Sequence, residues 1–147
     1  MLQKHIDKMN SFRRYMVFLN RNSGVNENYF HCSSLIKNDN LSYIGINGKN
    51  GLKTSLHAEI AAINHDNTKR KRRYTCDILV IRISGKDGKL SESRPCRNCI
   101  LYMYHNNYYK IKNVIYSTRE GVIKIEKLNN MMTNINTAHI TTDKTPL

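Results

Sequence analysis

Apolar residues recur along the chain in two periods, and the change from one to the other marks out the elements. From about Lys4 to Asn20, Ile6, Met9, Phe12, Met16 and Phe18 or Leu19 fall three or four apart, which predicts an amphipathic helix with lysine and arginine outward. The segment NRNSGVNEN reads as a loop, and YFHCSSLI and LSYIGIN follow as two strands joined by the turn-like KNDN. After GKNGLKTS comes LHAEIAAINH, a helix by its alanines and apolar spacing, with Thr54 or Ser55 offered as its N-cap and His57 and Glu59 in its first turn.

DILVIRI is a short β-branched run that predicts a buried central strand. Beyond a loop with Gly85 and Gly88, Pro95 fits the first position of a helix. CRNCILYMYHNNYY continues that helix through Ile100, Leu101, Tyr104 and Tyr108. KNVIYST and VIKIEKL read as strands four and five, linked by REG, too short for a parallel crossover and therefore antiparallel. From about Asn134 to Leu147 the chain is polar and reads as a partly irregular tail. The expectation is an α/β fold in one domain over residues 1–147, with a basic helix at 4–20 and a core at about 29–128.

With 147 residues and 39% hydrophobic content the chain can build one modest core, which directs the search to one active site. No run reaches the roughly 18 apolar residues of a membrane span, and MLQKHIDKMNSFRRYM lacks the apolar core of a secretion signal. No membrane partner and a cytoplasmic location are therefore expected, with the run Lys69 to Arg73 also fitting a nuclear-localisation signal. The net charge of +13 points to polyanions such as nucleic acid, although abundant Lys, Asn, Ile and Tyr are equally what AT-rich coding produces. The basic run has two readings as well, a nucleic-acid patch or a solvated loop.

The strongest chemical signal is His-Ala-Glu at 57–59 with Pro-Cys-Arg-Asn-Cys at 95–99. Together they supply an imidazole, two thiols and a carboxylate. Three protein ligands, His57, Cys96 and Cys99, leave the fourth position of a tetrahedral Zn2+ to water, as in catalytic rather than structural zinc sites. At i and i+3 near a helix start, the two cysteines share a face, and the helix dipole there favours thiolates. Glu59, two residues past His57, is suited to moving protons beside the metal without binding it. Cys32 and Cys76 lie in strand-like segments and read as buried small hydrophobes. His5, His31, His65, His105 and His139 have no motif around them.

H-x-E paired with P-C-x-x-C is the signature of zinc deaminases, and the chain resembles the cytidine deaminase-like superfamily over about Tyr29 to Leu128. The resemblance implies a three-layer α/β fold with a mixed five-stranded sheet flanked by helices, strands four and five antiparallel, and a homo-oligomer. It also implies substrate contacts at Asn47 in the stretch Gly45-Ile46-Asn47-Gly48, at Ala58, and at Ser93 and Arg94 before the Pro-Cys pair. For Asn47 a simple Asn-Gly turn is as good an account, and for Arg94 an exposed loop position. The expected function is hydrolytic deamination of cytosine in a nucleoside or nucleotide. Editing of cytosine or adenine in RNA or single-stranded DNA is the alternative, and a non-catalytic zinc domain the second.

Overall fold

The computed structural model describes residues 2–11, 29–46, 57–65, 73–84 and 87–141, with backbone alone at 29 and 136–141. In chain order these form α1 (2–11), β1 (Tyr29–Lys37), β2 (Asn40–Leu41), β3 (Gly45–Ile46) and α2 (Ala58–Asn64). They continue with β4 (Tyr74–Ser84), β5 (Leu90–Ser91), α3 (Arg97–His105), β6 (Tyr109–Ser117), β7 (Ile123–Lys127) and α4 (Leu128–Thr141). No helix among the described residues is long and apolar enough to cross a membrane.

The architecture is α/β around a mixed sheet, with β4 and β6 parallel and every other pairing antiparallel. Strand order is β2-β1-β4-β6-β7, with β3 also on β1 and β5 also on β4. Among the described residues there are seven strands in place of the five expected. The run LSYIGIN splits into β2 and β3, because its pairing with β1 shifts by one residue between Ile36↔Leu41 and Ser33↔Gly45 and the chain leaves the ladder at residues 42–44. Leu90–Ser91 adds the short edge strand β5.

β4 runs through the centre and feeds both faces, because successive side chains of a strand point to opposite sides. Cys76, Ile78 and Val80 join Ile63 of α2, Ile100 and Met103 of α3, and Leu128, Met131 and Ile135 of α4. Leu79, Ile81 and Ile83 pack instead with Phe30, Cys32 and Met9 of α1. Among the described residues helices thus cover both faces, α2, α3 and α4 on one and α1 on the other. On its own side α1 is tied to the β1–β2 turn by Lys4 and His5, whose nitrogens lie 2.9 and 3.2 Å from the Asp39 carboxylate.

Two of these boundaries differ from the sequence reading. α3 stops at His105, because Asn106 turns the chain: its Oδ1 accepts from the backbone N–H groups of Tyr108 and Tyr109, and its amide donates to Met103 O. The segment from Asn134, expected as irregular tail, is helical to Thr141, with Leu128, Met131 and Ile135 giving α4 an apolar stripe. The N-terminal helix is described only over 2–11, so the rest of the expected helix to Asn20 lies outside the described residues.

Candidate metal centre

α2 begins at Ala58, two residues later than the expected start at Leu56. His57 is not inside the first turn but is the N-cap, with extended backbone (φ −68°, ψ 145°), and its carbonyl accepts the first helical bond from Ala61 N at 3.0 Å. Thr54 and Ser55, the expected caps, lie outside the described residues. The helix lies on the sheet almost backbone to backbone. A Cβ at Gly45 would stand 2.5 Å from Ala58 O and 2.7 Å from Ala62 N, so only glycine lets β3 and the alanine face of α2 approach this closely.

The same offset applies to α3. Cys96 is its N-cap (φ −72°, ψ 167°), Pro95 precedes the cap rather than opening the helix, and Cys99 is the third helical residue. Ile100 N bonds Cys96 O at 2.9 Å. Cys96 is exposed and Cys99 fully buried. The approach to α3 is held by Ser93, whose buried Oγ lies 2.7 Å from Val80 O and 2.8 Å from Ser117 Oγ and accepts from Ser117 N at 2.9 Å.

These two helix starts bring His57, Cys96 and Cys99 together, with their ligand atoms all within 4.8 Å of one another. His57 Nδ1 stands 3.1 Å from Cys99 Sγ and 3.5 Å from Cys96 Sγ. Zinc–nitrogen and zinc–sulfur bonds at a tetrahedral angle separate the two ligand atoms by about 3.5 Å, so the observed spacing fits one shared ion. The cysteines are free thiols, as a metal site requires. Burial first, then the neighbouring Glu59 and Cys96, pushes the Cys99 thiol well above its ordinary range. A cation between the three groups reverses that sense, because a coordinating thiol is deprotonated.

Glu59 stands outside the trio and is 2% exposed. Its Oε1 lies 3.6 Å from His31 Nε2, a buried atom with no hydrogen-bond partner among the described residues. Burial holds His31 below its ordinary pKa, with Glu59 pulling the other way and Arg82 and His57 adding to the lowering. No motif marks His31. Its only sequence signal is the alternation of β1, which puts His31 on the same face as Leu35, itself packed in one cluster with Ile63 of α2.

The remaining expected residues are placed as follows. Ala58 is fully buried beside Glu59. Ser93 is engaged in its own hydrogen bonds, and the Arg94 guanidinium lies 3.4 Å from Glu126 of β7. Neither is brought into the trio. Asn47 lies outside the described residues, as do Lys69 to Arg72 of the basic run, whose last member, Arg73, is exposed. No protein-family model and no curated protein matches this sequence.

Proposed function

We propose that the protein is a zinc-dependent hydrolytic deaminase that converts the cytosine of a nucleoside or nucleotide to uracil and releases ammonia. The observation that carries this reading is a three-ligand set, His57, Cys96 and Cys99, beside a buried carboxylate, Glu59, that is not part of it. A closed structural site has four protein ligands and no use for such a carboxylate. A bound zinc ion would supply Lewis acidity, making water nucleophilic near neutral pH. Glu59 takes a proton as the carbon–oxygen bond forms, gives it to the ring nitrogen, and moves a second proton to the departing amine as the carbon–nitrogen bond breaks. His31 faces the same carboxylate and steadies it.

A cytidine deaminase-like fold belongs to the same proposal, supported by the parallel β4–β6 pair, by β6 and β7 antiparallel from Asn113↔Lys127 to Ser117↔Ile123, and by the two motifs at the starts of α2 and α3. A homo-oligomer is proposed with it on the resemblance alone. The test is ammonia release by the zinc-loaded protein against cytosine nucleosides, their phosphates and oligonucleotides. Release from the free compounds is the expected result. Turnover confined to oligonucleotides moves the reading to nucleic-acid editing, and no turnover with zinc firmly bound moves it to a non-catalytic zinc domain.

A further inference from the structure

The far end of α3 opens onto a cleft of about 780 Å³, a volume typical of ligand sites and remote from the metal centre. Arg73, Lys110, Lys112 and Lys127 line it, and no Asp or Glu does. Asp77 on β4 lines a smaller neighbouring pocket that shares Lys112, and its Oδ1 accepts from Asn113 N and Nδ2 at 3.1 Å each. The cations come from three strands or strand approaches. Lys110 and Lys112 are the exposed positions alternating with buried Tyr109 and Ile111 in β6, and Lys127 ends β7. Arg73 is pinned at the rim, donating to Asn106 O at 3.1 Å and Tyr104 O at 3.5 Å, and in sequence it closes the five-cation run from Lys69.

Two further features say what kind of anion fits. Tyr104 is 41% exposed in the lining, with its ring perpendicular to that of His105 and the centroids 5.1 Å apart. The fourteen-residue α4 starts at the same cleft with Leu128 and Asn129, adding backbone N–H groups to the positive end. Cations for phosphates beside an open aromatic ring for a base are the two parts of single-strand recognition. We propose that this cleft binds single-stranded nucleic acid, its lysines and Arg73 holding the phosphates and Tyr104 stacking on a base. The assignment is independent of what the metal centre does.

The experiment is fluorescence anisotropy of the zinc-loaded full chain with a labelled oligo(dT) of about twelve nucleotides over a salt series. Each phosphate contact on a single strand contributes about 0.7 to the slope of log affinity against log salt. The triple variant Lys110→Gln, Lys112→Gln and Lys127→Gln should therefore lose about two from that slope. A control of equal charge loss, Lys8→Gln, Lys89→Gln and Lys124→Gln, should keep the slope. Tyr104→Ala should bind about tenfold more weakly at unchanged slope. Equal losses in the triple variant and the control overturn the proposal in favour of diffuse charge, as does an absence of binding at low salt. Full affinity in Tyr104→Ala overturns the single-strand assignment. All the variants should keep zinc and deaminate free nucleosides as the unaltered protein does, so this test and that of the proposed activity fail separately.

Discussion

At its amino end α3 presents two cysteines and meets His57 and Glu59, the latter backed by His31; at its carboxyl end it presents Tyr104 and His105 and meets Arg73. The helix dipole favours this sorting, since its positive end suits thiolates and its negative end suits cations. The two ends are built differently, however. At the metal end the decisive groups Cys99 and Glu59 are buried and held by close packing, whereas at the cleft end the cations are exposed. A site specified by buried geometry breaks sharply when one atom is removed. One specified by exposed charge weakens in proportion to the charge lost.

The largest effect expected is in Cys99→Ala, which removes a ligand from the buried side of the trio. Metal affinity should fall by far more than the roughly 100-fold that changes to outer partners cause. Metal analysis of purified protein reads this, and a full complement of zinc in the variant would break the assignment. Next comes Glu59→Gln, expected to lower turnover by about 10²–10⁴-fold while zinc content stays normal. Loss of zinc there would make Glu59 a ligand and erase its separation from the trio.

Gly45→Ala tests how the histidine arm is held. The added methyl meets Ala58 O and Ala62 N, so α2 must lift from β3, costing about 1–3 kcal/mol in thermal or denaturant unfolding. Because His57 rides on α2, zinc affinity should fall with stability; unchanged affinity would show that the arm is anchored elsewhere.

The last contrast is between a buried thiol and an exposed one. Cys32 lies in the apolar layer under α1, and burial pushes its pKa up to about 12. The folded state therefore keeps Cys32 protonated while the unfolded chain ionises it from about pH 9. Its stabilising contribution is complete below that pH and fades by up to about 1.4 kcal/mol per pH unit as pH climbs toward 12. The stability difference between the unaltered protein and Cys32→Ala should shrink accordingly. The native thiol should also resist alkylation at neutral pH, whereas Cys96, exposed at the metal end, should react once zinc is chelated.

The metal end was legible in the sequence because its residues lie in two short motifs, and the central strand because β4 carries the apolar run Ile78 to Ile81. The exact caps were not legible. Extended backbone at His57 and Cys96 is decided by how each chain enters its helix, which composition does not encode. His31 escaped because its meeting with Glu59 depends on strand register across the sheet. The cleft escaped for the same reason. Lys110, Lys127 and Tyr104 look like scattered surface residues until β6, β7 and α3 are assembled, and only the basic run ending at Arg73 hinted at it. The split of LSYIGIN follows from a one-residue shift of its register on β1, which the alternation of its own residues does not announce.

The β4 strand lies in sequence between the two ligand arms, and in space it lies between β1 and β6. His57 and Cys96 therefore meet only after β4 has docked on both neighbours, with the parallel β6 pairing formed across the α3 connection. Such non-local pairing is slow to form, because loop closure precedes its reward. A one-residue slip of β4 would turn its apolar residues to the wrong faces and carry the arms out of reach of each other. A metal ion held by these three groups would thus be captured tightly only late in folding, by chains in native register. In refolding experiments, the rate of zinc uptake should follow completion of the sheet rather than the earlier appearance of helix.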